Sequence, residues 1–158
     1  MKLIQKFLRI SLIAAAISLL GISGAAQEQK ITASDVPTAV ISAFKTAYPK
    51  AIIRGYSKET EDGKLLFEIE SRDGSIHRDV LYNSDGTVAE VEETIDASDL
   101  PAAAQQAVRQ KYPRALIMAA EKTTAGDKVT YEVSVRNGKQ RVTIEFDSKG
   151  NELPKAKK

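Results

Sequence analysis

The sequence predicts an α+β fold, a tandem repeat of two units in which one helix packs on an antiparallel β-meander. The first indication is self-similarity: at an offset of 64 residues, "ASDVPTAVISAFKTAYPKA" (33–51) matches "ASDLPAAAQQAVRQKYPRA" (97–115). The second is a change in each half from helical to alternating apolar periodicity. One fixed offset is typical of a duplicated unit. The predicted boundaries are 1–26 for a signal peptide, 27–95 for unit 1 and 96–158 for unit 2.

The first 26 residues have the three regions of a secretory signal peptide. A basic start precedes an apolar run, and the small residues Gly24-Ala25-Ala26 follow it. We expect cleavage after Ala26 and a periplasmic or secreted protein. The apolar run is shorter than the roughly 20 residues of a bilayer span. No stable membrane anchor is therefore expected after cleavage.

Each unit opens with a predicted amphipathic helix. In unit 1, Ser34 or Asp35 is the expected N-cap, Pro37 falls in the first turn, and Pro49 ends the helix. The apolar residues recur at helical spacing along one stripe: Val36, Val40, Ala43, Phe44, Ala47 and Tyr48. The matching stripe of unit 2 is Leu100, Ala104, Ala107, Val108 and Tyr112.

A β-hairpin follows each helix, with a short strand before it (51–58, 115–122). Asp73-Gly74 and Asn137-Gly138 are read as the two central residues of the hairpin turns. That choice predicts the inward pairs 65/82, 67/80, 129/146 and 131/144. It also places Arg78 opposite Ile69, where we expect its head group in water at a sheet margin. A further strand is predicted after Gly86, whereas the end of unit 2 is expected to be a frayed tail.

Composition excludes several classes of function. Without the three basic residues of the signal peptide, 20 basic residues face 21 acidic ones. Nucleic-acid binding, which needs a basic surplus, is therefore not expected. The chain has no Cys and a single His, so disulfides and sites built on several histidines are excluded. We predict no catalytic residue, no cofactor and no dedicated metal ligands, and hence no enzyme.

The ordered motifs resemble those of a known family. Asp-Val-Pro or Asp-Leu-Pro, Tyr-Pro-x-Ala, an Asx-Gly hairpin and a closing Gly occur twice, over 33–158. They resemble the PepSY-like family, which is similar to the β-lactamase inhibitory protein. The resemblance implies an exported bacterial protein of two helix-on-sheet units. For PepSY-type domains it implies inhibition or regulation of secreted proteases. It carries over no catalytic or inhibitory residue.

The outer face of unit 1 is the candidate binding face. The expected register sets Leu66 opposite Leu81, Glu68 opposite Asp79, and Glu70 opposite His77. If the meander continues through Asp85-Gly86, Glu92 joins Asp79 and Glu90 joins Leu81. Tyr56 is expected to join an apolar spot with Leu66 and Leu81. The candidate residues are Leu66, Glu68, Glu70, His77, Asp79 and Leu81.

Three interpretations of this face stay open. Arg54 or solvent compensates the carboxylates, a basic protein partner covers them, or a divalent cation binds them. Unit 2 is expected to differ, because Glu132 would face Thr143 on a more basic surface. The predicted function is an exported, non-catalytic binding or inhibitor-like protein that regulates a secreted enzyme through its sheet faces. The alternative is a periplasmic protein that binds or senses a ligand or a divalent cation.

Overall fold

The computed structural model describes residues 28–61 and 63–154, which form one eight-stranded antiparallel sheet with two helices. The predicted signal peptide lies outside the described residues. Strand order in the sheet follows the sequence, so each strand pairs with the next one along the chain. The elements are β1 (Gln29–Lys30), α1 (Thr38–Ala47), β2 (Ile52–Glu61), β3 (Lys64–Asp73), β4 (Ile76–Asn83), β5 (Val88–Ile95), α2 (Ala102–Lys111), β6 (Leu116–Ala125), β7 (Lys128–Asn137) and β8 (Gln140–Asp147).

The helices begin later than predicted. A 3₁₀ turn at Ala33–Asp35 precedes α1, and the Asp35 carboxylate accepts hydrogen bonds from the backbone and hydroxyl of Thr32. Asp35 therefore caps that turn and not the α-helix. Pro37 takes the N-cap position with extended backbone (φ −54°, ψ 139°), which separates the two segments. At the other end Tyr48 leaves the helical region (φ −128°, ψ 62°), as expected before Pro49.

Two apolar clusters fill the space between the helices and the sheet. The predicted helical stripes supply Val40 and Phe44 to the first cluster and Ala104 and Val108 to the second. Ala47 is the exception, since it is exposed. The sheet residues of the first cluster are Phe67, Ile69, Val80 and Tyr82, and those of the second are Ala120, Val133, Val135, Ile144 and Phe146.

The predicted register of both hairpins is wrong by two residues. Phe67 pairs with Tyr82 and Tyr131 with Phe146, so the pairs 65/82, 67/80, 129/146 and 131/144 are not formed. The turns use Gly74-Ser75 and Gly138-Lys139, with glycine first, at φ +59° and +62°. A glycine at the first central position is typical of type II′ turns. Because side chains alternate with period two, this slip keeps every residue of the two hairpins on its predicted face.

The turn after β4 leads to the predicted pairing. Asp79 pairs with Glu92 and Leu81 with Glu90. β5 then pairs with β6, from Val91–Thr124 to Ile95–Ala120, so a backbone ladder joins the two halves. The described part of the predicted tail, up to residue 154, is not simply frayed, since Phe146 forms a β-bridge with Glu152.

Arg78 is inward-facing, as predicted, but its environment differs from the expectation. It lies opposite Ser71 and Glu93, not Ile69, and is only 9% exposed. Its Nε and Nη2 donate hydrogen bonds of 3.2 and 3.0 Å to Oε2 of Glu93. The head group therefore lies within the protein and is paired by a carboxylate on the next strand.

Candidate binding face

The face of the sheet opposite α1 and α2, here called the helix-free face, carries a row of three carboxylates across neighbouring strands. Glu70 of β3 is directly opposite Asp79 of β4, and Asp79 is directly opposite Glu92 of β5. Neighbouring strands are about 4.8 Å apart. We call these three residues the first acidic row. Their repeated negative charge favours a cation or a cationic surface at this position.

Glu68 lies beside this row and is partly buried. The Ser57 hydroxyl, on β2, donates a hydrogen bond of 2.5 Å to Oε2 of Glu68. Burial raises the pKa of Glu68 to about 7, opposed by the Ser57 hydrogen bond and reinforced by the charges of Asp79, Glu28 and Glu70. The carboxyl of Glu68 therefore changes charge close to neutral pH.

Glu90 is the second carboxyl with a raised pKa. Glu68 and Glu90 lie on opposite sides of Leu81, each directly paired with it across the sheet. Burial raises the pKa of Glu90 to about 7, and the charges of Glu92, Glu61 and Glu59 add to the effect, while Lys128 opposes it. The helix-free face therefore loses negative charge when the pH falls below about 7.

The structure brings most of the predicted face residues together, but with other partners. Glu68 is opposite Leu81 and not Asp79, whereas Glu70 is the residue opposite Asp79. His77 lies opposite Arg72 near the hairpin turn and not opposite Glu70. His77 is therefore at the margin of the acidic surface.

The predicted apolar spot is not formed. Leu66 is buried between Glu59 and Asn83, on the neighbouring strands. Tyr56 packs against the cluster under α1 and therefore contributes to the opposite face. Leu81 alone of the three remains partly exposed on the helix-free face.

Unit 2 carries a second acidic row that the sequence analysis missed. Glu132 of β7 lies directly between Glu121 of β6 and Glu145 of β8. The expected contact of Glu132 with Thr143 is therefore wrong. The two-residue change of register causes this difference. A correct reading of Gly138-Lys139 as the turn would have found the pair Glu132–Glu145.

One group of carboxylates has the spacing of cation ligands. Glu28, Glu68 and Glu70 each offer one oxygen, and these oxygens lie within 4.8 Å of one another. Hard divalent cations take such oxygen ligands. The Lys30 ammonium lies 3.9 Å from Oε1 of Glu70 and supplies positive charge at the same place. The arrangement thus suits either a metal ion or an amino group, and His77 is not part of it.

The family model described as "Putative beta-lactamase-inhibitor-like, PepSY-like" matches residues 24–72 and 66–153, which together span most of the chain. The chain belongs to the PepSY-like family. The two overlapping matches agree with two PepSY-like units in tandem. No curated protein matches the chain.

Solved structures share the PepSY-like fold of this chain. A BLIP-like protein from Bacteroides fragilis is 18% identical, with a TM-score of 0.56 over 75% of this chain and 84% of that one. A protein from Bacteroides eggerthii, described as a "putative periplasmic" protein, is 18% identical, with a TM-score of 0.61 over 75% and 86%. Within 28–61 and 63–154, no helix is long and apolar enough to cross a membrane.

Proposed function

We propose that this PepSY-like protein is an exported, non-catalytic binding protein that contacts a cationic surface of another exported protein. The observation that carries the proposal is the first acidic row, in which Glu70, Asp79 and Glu92 are direct neighbours on three strands. The second acidic row, Glu121, Glu132 and Glu145, extends the negative surface across β6 to β8. Inhibition or regulation of a secreted enzyme is the function of this contact.

The sheet makes the acidic surface suitable for recognition. Both acidic rows lie on strands held by a continuous ladder, from β2 to β8, so their spacing is fixed before a partner arrives. Preorganised groups lose less conformational entropy on binding. Rows of like charge also steer an oppositely charged partner and increase its association rate. Lysine or arginine side chains of a partner would be attracted to the carboxylates of each row.

The proposed protein is exported and consists of two similar units. Residues 1–26 have the regions of a signal peptide, and the similar protein from Bacteroides eggerthii is described as periplasmic. The order of a 3₁₀ turn, a helix and three strands occurs twice, and both α-helices have ten residues. We infer two tandem units in the periplasm, joined through β5 and β6.

Isothermal titration calorimetry with a lysine decapeptide tests the proposal. The chain from residue 27 contains every described element and avoids the apolar signal segment. We expect binding that weakens with salt, because the contact is electrostatic. Asp79→Asn, in the centre of the first acidic row, should weaken binding about threefold to tenfold. Thr143→Asn changes a residue of β8 on the helix-free face that belongs to neither acidic row. It is the control and should bind as the wild type does.

Two results would contradict this proposal. The first is equal affinity of the Asp79→Asn and wild-type proteins for the decapeptide. The second is tight binding of Ca²⁺ that Glu28→Gln abolishes, with no binding of the decapeptide. Glu28 belongs to the carboxylate group with cation spacing but not to either acidic row. The second result would therefore assign the face to the divalent-cation alternative.

A further inference from the structure

An exposed apolar segment begins β6, at the end of the sheet where β7 turns into β8. Leu116, Ile117 and Met118 are consecutive, and they are 57%, 38% and 46% exposed. We call these three residues the apolar tip. Three adjacent exposed aliphatic side chains are costly in water, by about 25 cal/mol for each Å² of apolar surface. Such a patch is typical of a contact site.

The side chains of the apolar tip lie on both faces of the sheet. Leu116 pairs with Arg136 and Ile117 with Val135, and successive strand residues point to opposite faces. The register shifts between Ile117 and Ala119, so Met118 lies in a β-bulge. Exposed apolar side chains therefore lie on both sides of the strand end. A flat protein surface would cover the side chains on one face only, whereas a fluid apolar medium can surround all three side chains.

Cationic side chains lie around the apolar tip. Arg136 is directly opposite Leu116, and Arg141 is directly opposite Arg136. Arg114 precedes Leu116 by two residues, and Lys139 is in the adjoining turn. Glu132 of the second acidic row is four residues from Arg136 along β7, or about 13 Å. That separation exceeds the Debye length of about 8 Å at physiological ionic strength, so the attraction between the Glu132 and Arg136 charges is largely screened.

We propose that the apolar tip and its surrounding cations dock reversibly on an anionic membrane surface. The aliphatic side chains would enter the boundary between head groups and acyl chains, while the arginines contact lipid phosphates. The exposure of apolar side chains on both sides of the strand end favours lipid over an acidic protein as the partner. The contact is peripheral, and it uses a surface other than the acidic rows.

Vesicle co-sedimentation of the chain from residue 27 tests this inference. We expect binding to vesicles of phosphatidylglycerol and phosphatidylethanolamine, and little binding to phosphatidylcholine vesicles. The double variant Leu116→Ser/Met118→Ser should lower the partition coefficient about tenfold or more. Arg136→Gln should lower it about fivefold. Circular dichroism confirms that each variant is folded.

Two exposed apolar residues at the opposite end of the sheet supply matched controls. Leu65 and Val88 are 48% and 52% exposed. Leu65→Ser and Val88→Ser should bind vesicles as the wild type does. Equal binding to phosphatidylcholine, or undiminished binding by the Leu116→Ser/Met118→Ser variant, would overturn the inference. Absence of vesicle binding together with capture of an acidic protein through Arg136 would overturn it as well.

Discussion

Arg78 and Tyr48 form a cation–π contact in which the guanidinium carbon lies 4.3 Å from the centroid of the tyrosine ring. Arg78 also pairs with Glu93, so the contact links the end of α1 to β4 and β5. The corresponding position of unit 2 is Val142, which has no charge to compensate. The ionic contact is therefore specific to the first unit.

We expect Glu93→Gln to lower the free energy of unfolding by about 2 kcal/mol, because it leaves the Arg78 charge buried without its carboxylate. Urea denaturation measures the change. The double variant Arg78→Val/Glu93→Gln reproduces the apolar position of unit 2 and should recover most of the lost stability. A double variant that is less stable than Glu93→Gln alone would show that the buried charge is not the cause.

A second prediction concerns Gly86, which has φ +86° and approaches α1. A Cβ at this position would lie 2.8 Å from the backbone oxygen of Ala39. We expect Gly86→Ala to cost about 2–4 kcal/mol, from backbone strain and the steric clash together. Gly74→Ala, with φ +59° and no atom within 4 Å of its Cβ, should cost only about 1–2 kcal/mol. Equal losses in the two variants would argue against the close approach.

The third prediction is a rise in stability as the pH falls from about 7 to 4.5. Glu68 and Glu90 have pKa values of about 7 in the folded protein, against 4.5 for an ordinary glutamate. In this window the folded chain binds more protons than the unfolded chain. The stabilising effect is complete below the unfolded pKa and is lost as the pH rises through the folded pKa.

Urea denaturation at several pH values measures this effect, which we expect to reach about 2–4 kcal/mol for the two groups. The double variant Glu68→Gln/Glu90→Gln should show a much smaller slope. Glu145→Gln, at an exposed position of the same face, is the control and should keep the wild-type slope. Stability that increases from pH 5 to pH 7 would contradict the prediction.

A fourth prediction concerns the Tyr82 hydroxyl. It is buried, and within the part of the chain that the structure describes it has no hydrogen-bond partner. Burying an unpaired hydroxyl is unfavourable. Tyr82→Phe should therefore leave the free energy of unfolding unchanged or raise it by about 1 kcal/mol, as judged by thermal and urea denaturation. A large loss would show that the hydroxyl has a partner in solution.

The sequence predicts the faces of the sheet better than the pairs within it. Alternation alone separates Glu68, Glu70 and Asp79 from Ile69 and Val80, and a slip of two residues does not change that separation. The pairs depend on which two residues of Asp73-Gly74-Ser75 form the turn, and both choices contain a glycine in a favourable position. The pairing of Asp79 with Glu92 was predictable because it depends on a different turn.

Other features depend on contacts that no local pattern contains. The environment of Arg78 is made by Tyr48 from the end of α1 and Glu93 from β5. The second acidic row needs the register of β6 against β7 as well as that of β7 against β8. The raised pKa of Glu90 arises from burial and from carboxylates on several strands. These properties are fixed by tertiary packing, which an isolated sequence segment does not determine.

The pairing of β5 with β6 has a mechanical consequence for the whole molecule. Five residue pairs connect the halves of the chain, so no hinge separates the first acidic row from the second. Without β6, the outer edge of β5 would display unpaired backbone groups to any other strand. The second half therefore covers the β5 edge of the first half. Pulling the two halves apart would require breaking the hydrogen bonds between β5 and β6, not extending a flexible linker.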